Sequence, residues 1–304
     1  MSEKEDRYLW LENLEDSKVK KWFSKRNKAS RELLKAMSAK LKPRIEHYYS
    51  LPYALMVRTS SKGHFVLMRE KGKFKIKLIT SDGVKNELVR SSDLGKDVVL
   101  QRIYASDEGE RFAFSYSFGG SDEGILRLIE TQSGEVVDEL KGVLSDIVWL
   151  DKDRYFYGRF YQKEKTPDGV APPAMRIFLR QDREDSMVFG KGIQTSHFIG
   201  LAKSTMGSKA LLTVSYGWTK SDAYAGRLED PQDWGLVYGK GDFMAWPVGY
   251  LDGKYLVASF DKAGLGRILA VNKNKKAREV VEEQPYPLQE AVIFRRQDCP
   301  QLSL

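Results

Sequence analysis

The sequence predicts a mainly β fold, a β-propeller preceded by an N-terminal α-helical segment, and three observations carry that prediction. From residue 51 onward, short alternating segments are separated by tight turn signals. These segments group in fours, and the groups recur. The second-strand landmarks Phe65, Phe112, Tyr155, Leu211 and Tyr255 stand 47, 43, 56 and 44 residues apart. A period of about 40–50 residues with four strands in each is the signature of propeller blades. Some second strands are apolar on both faces, as in Arg111-Phe112-Ala113-Phe114-Ser115, which suits a blade covered on both sides by its neighbours. A β-sandwich also uses short strands and frequent turns; five similar units in series weigh against it.

Residues 1–50 read differently. Apolar residues recur at three- and four-residue spacings through Leu9, Trp10, Leu11, Leu14, Val19, Trp22 and Phe23. Asp16 is placed as an N-cap, and no Pro or Gly follows between Ser17 and Leu41. This predicts a helix with Val19, Trp22, Phe23, Leu33, Leu34 and Met37 buried. Pro43 predicts its end, with a short second helix over Arg44–Tyr49.

The first meander is expected over Ala54–Arg58, His64–Arg69, Lys73–Thr80 and Asn86–Val89, with turns at Ser61-Lys62-Gly63, Lys71-Gly72 and Ser81-Asp82-Gly83. The second covers Leu100–Tyr104, Arg111–Ser117, Gly124–Glu130 and Val136–Leu140. The third covers Asp146–Leu150, Arg154–Phe160, Met175–Leu179 and Met187–Phe189, with an insertion at Gln162–Pro173. The fourth shows three strands, His197–Lys203, Lys209–Tyr216 and Trp234–Tyr238. The fifth covers Met244–Leu251, Tyr255–Phe260, Arg267–Asn272 and Arg278–Glu282. Pro285–Arg296 supplies one or two strands of a sixth. The expected domains are therefore a helical segment, 1–50, and an incomplete propeller of five blades and the start of a sixth, 51–304.

Composition narrows the chemistry. The chain has three histidines, His47, His64 and His197, and a single cysteine, Cys299. Neither an internal disulfide nor a thiolate metal site can be built from one thiol, and a reducing, cytoplasmic setting fits. No apolar stretch reaches the ~18 residues of a membrane span, and the N-terminus lacks a signal-peptide core. Fifty Lys and Arg against 42 Asp and Glu give a formal charge of +8. The basic clusters at Lys18–Lys28 and Lys273–Arg278 read as a solvated helix face and a charged turn tip, without a base-stacking platform, so no nucleic-acid partner is expected.

Gly119-Gly120-Ser121-Asp122-Glu123-Gly124 is the nearest approach to a Gly-x-Ser-x-Gly elbow, but Glu123 stands where the second glycine belongs and a strand, not a helix, follows. It reads as a polar turn. His197 reads as a packed or backbone-bonded residue at a strand start. No Gly-rich loop cradles phosphate. Catalytic, cofactor-binding and metal-ligating residues are accordingly predicted as none, and no cofactor is implied.

Asp6-Arg7-Tyr8-Leu9-Trp10-Leu11-Glu12, followed by Val19, Trp22 and Asn27, resembles the opening of the prolyl oligopeptidase (prolyl endopeptidase) family of serine peptidases, with Arg7 where that family has Pro. Tyr104-Ala105-Ser106-Asp107-Glu108-Gly109-Glu110 and Gly120-Ser121-Asp122 are similar to its second blade, and the resemblance runs from about Asp6 to Arg296. It implies a seven-bladed propeller capping an α/β-hydrolase domain, with short peptides cleaved after proline. It also implies an N-terminal segment packed on the hydrolase domain and a Ser-Asp-His triad lying wholly in hydrolase sequence, which has no matching position here. The chain is thus expected to be the N-terminal portion of such an enzyme, inactive alone. The partner the resemblance implies is peptide substrate, with no nucleic acid and no membrane expected. The alternatives are half of a split enzyme, complemented by a separate hydrolase-domain chain, and a propeller repurposed as an interaction scaffold.

Overall fold

A computed structural model describes residues 6–205 and 207–293. The chain forms two compact units. The first holds the described residues up to Tyr53 together with Arg69–Lys73; the second holds Ala54–Met68 and the residues from Phe74 onward.

The first unit is dominated by a 34-residue helix α1, Ser17–Ser50. Asp16 caps it as expected, its carboxylate accepting from the Lys18 N–H at 2.7 Å. Two expectations fail here. The helix runs through Pro43 without a break. Strong helix formers flank the proline, and Ala39, whose carbonyl loses its partner, is exposed, so water can take that bond. Of the six predicted core residues only Val19 is buried. Trp22 is half-buried, whereas Phe23, Leu33, Leu34 and Met37 are exposed. The apolar stripe exists, but no described residue covers it. Near the end of this unit the Arg69 guanidinium lies over the Tyr49 ring at 3.4 Å and the Tyr53 ring at 4.8 Å, donating to the Tyr49 carbonyl at 3.2 Å.

The second unit consists of four-stranded antiparallel meanders. Blade 1 is β1 Tyr53–Ser60, β2 Gly63–Glu70, β3 Lys73–Ile79 and β4 Lys85–Arg90. A short helix, α2 Ser91–Leu94, leads to β5 Val98–Ala105, β6 Arg111–Phe118 and β7 Gly124–Glu130 of blade 2. The next strand, β8 Val136–Trp149, differs from expectation. It is one 14-residue strand where two were predicted. Its first half pairs with β7 and its second half with β9, so blades 2 and 3 form one seven-stranded sheet. Blade 3 continues through β9 Tyr155–Tyr161, β10 Ala174–Gln181 and β11 Glu184–Phe189.

Blade 4 contains β12 His197–Lys203, β13 Lys209–Tyr216, β14 Lys220–Arg227 and β15 Gly235–Tyr238; blade 5 contains β16 Ala245–Leu251, β17 Lys254–Ser259, β18 Arg267–Val271 and β19 Ala277–Val281. Strand β14 was not predicted. Its sequence, KSDAYAGR, offers one strong strand former, Tyr224. It is held by pairing on both sides. Its small Ala223 and Ala225 pack in one cluster with Val257, Leu269 and Val271 of blade 5. No strand follows β19 among the described residues. Instead Leu288 N–H donates to the Leu265 carbonyl at 2.7 Å, and Ile293 lies where a Cβ on Gly249 would stand, 2.3 Å away. The rest of the expected tail, with Cys299, lies outside the described residues.

Alternation explains how the blades stack. Phe112, Phe114 and Tyr116 share one face of β6 and pack with Phe65, Leu67, Ile76 and Leu78 of blade 1. Phe65 and Phe112 have ring centroids 5.3 Å apart. Ala113, on the opposite face, joins Trp149, Tyr155 and Tyr157 of blade 3. Each such aromatic contributes about 1.5–3 kcal/mol by burial.

Candidate functional site

The meander topology places the loops between second and third strands at one rim of the second unit. In blades 2 to 5 these lie between the ends of β6 and β7, β9 and β10, β13 and β14, and β17 and β18. The β9–β10 loop is the predicted insertion, and a buried ion pair fixes it. The Arg176 side chain is fully buried and donates to both carboxylate oxygens of Asp168 at 2.8 and 3.0 Å, to Met175 O at 2.6 Å and to Ile193 O at 3.0 Å. Gly192 N–H donates to the same carboxylate at 3.1 Å. Arg176 holds Asp168 far below the usual carboxylate range, with burial opposing. The loop is therefore tied down at both ends of its charge.

On the same rim, β12 begins beside the end of β13, with His197 opposite Tyr216. Their rings meet edge to face at 4.2 Å, and His197 Nδ1 lies 2.7 Å from the Thr195 carbonyl, so the histidine is packed and backbone-bonded as the sequence suggested. Next to it is a groove of about 270 Å³ lined by Phe198, Trp218, Lys220, Ser221 and Met244 among others. Trp218 stands at the hairpin tip and is 95% exposed. Phe198 is half-open and its ring lies tilted against that of Phe160 of blade 3, with centroids 5.5 Å apart.

The hairpin base is rigid. Tyr216 Oη donates to Asp222 at 2.9 Å, the Lys240 N–H donates to that carboxylate at 2.6 Å, and Lys240 Nζ lies 3.3 Å from it. Burial works against the Lys240 charge, yet Tyr224 and Asp222 hold the ammonium above its usual range. Gly239, at φ 140°, is required there, since a Cβ would come within 2.3 Å of the Asp222 carboxylate. Neither Trp218 nor Phe198 was singled out from sequence. A tryptophan directly after a turn glycine, where small polar residues are usual, was the available signal.

A second polar set lies along the first strands of the blades, whose free edges leave backbone N–H groups without ladder partners. Side chains of the preceding blade receive them. Met56 Sδ accepts from Ile103 at 3.5 Å, Met175 Sδ from Ile199 at 3.3 Å, Asp146 from Leu201 at 3.3 Å, and Ser221 Oγ from Ala245 at 3.0 Å. Asp146 sits at a bulge of β8 with φ 54°. Burial pushes its carboxyl up, with the Leu201 N–H, Arg102 and Ser145 opposing that rise.

Ser121, the nearest approach to a nucleophile in the sequence, lies in the turn between β6 and β7 and accepts from Glu123 N–H at 3.2 Å. Among the described residues no three His, Cys, Asp or Glu side chains are grouped to hold a metal. Among them, too, no helix is long and apolar enough to cross a membrane.

Comparison with known proteins places this architecture. Residues 2–297 match the prolyl oligopeptidase N-terminal β-propeller domain. One similar structure comes from an analysis of two prolyl endopeptidases and of inter-domain dynamics in their catalysis and specificity; it is 21% identical, with a TM-score of 0.77 over 92% of this chain. Others are prolyl oligopeptidase B from Galerina marginata bound to a 35mer substrate, 16% identical with a TM-score of 0.74, and oligopeptidase B from Leishmania major, 14% identical with a TM-score of 0.72, each over 92% of this chain. The chain spans 44%, 45% and 42% of these three structures respectively. No curated protein matches it. The chain belongs to the prolyl oligopeptidase family, of which it carries the N-terminal propeller domain.

Proposed function

We propose that this chain is the propeller-bearing part of a serine endopeptidase that cleaves short peptides after proline, and that it has no peptidase activity by itself. The observation that carries this reading is the match of residues 2–297 to the propeller domain alone, in a chain that spans 44% of a similar prolyl endopeptidase. Ser, Asp and His of the triad would come from a hydrolase portion, on which residues 1–50 would pack. In the assembled enzyme the groove at Trp218 and Phe198 would face the peptide, its aromatic surface suiting a prolyl ring. A single cysteine in the whole sequence supports a reducing, cytoplasmic setting.

The test is a prolyl reporter substrate offered to the pure chain, and then to the chain mixed with a hydrolase portion of the family. Activity from the chain alone would overturn the proposal. Activity that appears only in the mixture supports it.

A further inference from the structure

We propose that a cavity at the rim opposite the Trp218 groove is a binding site for an arginine side chain of a partner polypeptide. The loops between first and second strands, and between third and fourth, gather at that rim. In blades 2 to 4 these are residues 106–110, 131–135, 150–154, 182–183, 204–208 and 228–234. They carry ten Asp and Glu against three Lys and Arg, in a chain whose formal charge is +8. Between the β5–β6 loop of blade 2 and the β8–β9 loop of blade 3 lies a cavity of about 290 Å³, lined by Asp107, Glu108, Glu110, Trp149, Asp151 and Lys152 among others.

The walls of this cavity are fixed. Arg111 of β6 pairs with Glu130 of its own blade at 3.3 Å and donates to the Lys152 carbonyl at 2.6 Å and to Asp153 at 2.8 Å in the next. The Asp107 carbonyl accepts the Ser61 N–H at 2.9 Å, and its carboxylate pairs with Lys203 at 2.5 Å. The Asp151 carboxylate accepts the N–H groups of Asp153 and Arg154 at 2.9 and 2.8 Å and Arg154 Nε at 2.7 Å. Two carboxylates remain. Glu108 and Glu110 are exposed, and neither side chain has an ion-pair or hydrogen-bond partner among the described residues.

The independent sign of a ligand is Trp149. It is 5% exposed, and its Nε1–H, the ring's only polar group, is buried without a hydrogen-bond partner. Buried donors are nearly always satisfied, so this wall asks for an acceptor while Glu108 and Glu110 ask for a cation. A polyamine brings charge and donors but no acceptor, and the described residues hold no three grouped metal ligands. An arginine within a polypeptide brings both. Its planar fork of five N–H donors suits two separate carboxylates better than the point charge of lysine, and the backbone beside it supplies a carbonyl for the indole.

The test titrates the full chain with acetyl-Gly-Gly-Arg-Gly-Gly-amide and follows the indole N–H signals by NMR, the Trp149 signal being the one lost in Trp149→Phe. That signal is expected to move downfield, as an N–H does on gaining an acceptor. The same peptide with citrulline in place of arginine should bind at least about tenfold more weakly. The E108Q/E110Q double variant, at two exposed positions, should lose binding at least about tenfold while unfolding at the same temperature as the parent. Lys152→Gln, which removes a cation without an ion-pair partner from the cavity wall, should tighten binding about two- to threefold. Equal binding of the citrulline peptide, or of one with lysine, would overturn the proposal. So would an unmoved Trp149 signal, binding unchanged in the double variant, or weaker binding by Lys152→Gln.

Discussion

The carboxylate of Asp146 accepts the Leu201 backbone N–H at 3.3 Å, joining the first strand of blade 3 to that of blade 4. The bond satisfies an edge-strand donor that no ladder reaches, at the expense of holding a carboxyl where burial raises its pKa. The native state therefore binds this proton more tightly than the unfolded chain. Its contribution favours folding in acid and turns against it as pH rises through the raised value.

Asp146→Asn should consequently stabilise the chain at neutral pH, an advantage that fades as pH falls into the range where the parent's carboxyl is protonated. Asparagine keeps an acceptor for Leu201 and tolerates the positive φ. Asp146→Ala should instead destabilise by about 1–3 kcal/mol, because it strands the Leu201 N–H. Denaturant unfolding across a pH series distinguishes the three proteins.

Asp168 behaves oppositely. Its carboxyl is held down by Arg176, so its contribution is present above the unfolded carboxylate pKa and lost only in strong acid. Arg176→Met should cost about 3–5 kcal/mol by leaving a buried carboxylate unpaired. Asp168→Asn should cost less, about 1–3 kcal/mol, and its deficit should shrink as the parent is taken well below pH 4. Thermal unfolding of both variants over that range is the measurement.

Trp218 contributes exposure, not packing. Trp218→Ala should leave stability within about 0.5 kcal/mol and remove the most solvent-exposed, most readily quenched part of the tryptophan emission. In an assembled enzyme it should raise KM for prolyl peptides more than it lowers kcat. An equal fall in kcat alone would place the residue outside the peptide contact.

Pro43→Ala restores a donor to Ala39 in a helix that is already continuous. About 3 kcal/mol of local helix stability should be gained, visible as slower amide exchange on either side of residue 43. The melting temperature of the propeller should not change.

The blades were legible because their second strands are packed on both faces, so Phe65, Phe112, Tyr155, Leu211 and Tyr255 repeat audibly in the chain. What was hidden follows the same physics. Strand β14 is made of small residues because blade 5 closes on it, so its selection is for volume and not strand propensity. Strand β8 reads as two because Gly142 and the bulge at Asp146 interrupt its alternation. Helix α1 carries a core-like stripe that no described residue covers, and periodicity reports the stripe without reporting what covers it. The groove residues escaped because an exposed tryptophan has no periodic partner. The family resemblance supplied the activity class, which composition, periodicity and spacing did not reach.

The shared strand β8 has a mechanical consequence. Blades 1 and 2, 3 and 4, and 4 and 5 are linked through connections between separate strands, whereas blades 2 and 3 share the one strand β8, whose residues 136–142 pair with β7 and residues 143–149 with β9. No residue of β8 pairs with both neighbours, so the two ladders meet end to end at Gly142–Val143, and the blades can tilt apart there without breaking a ladder bond. A connection with no slack therefore fixes the spacing of these two blades but not their angle, and it puts the hinge at Gly142, whose φ of 135° only glycine adopts readily.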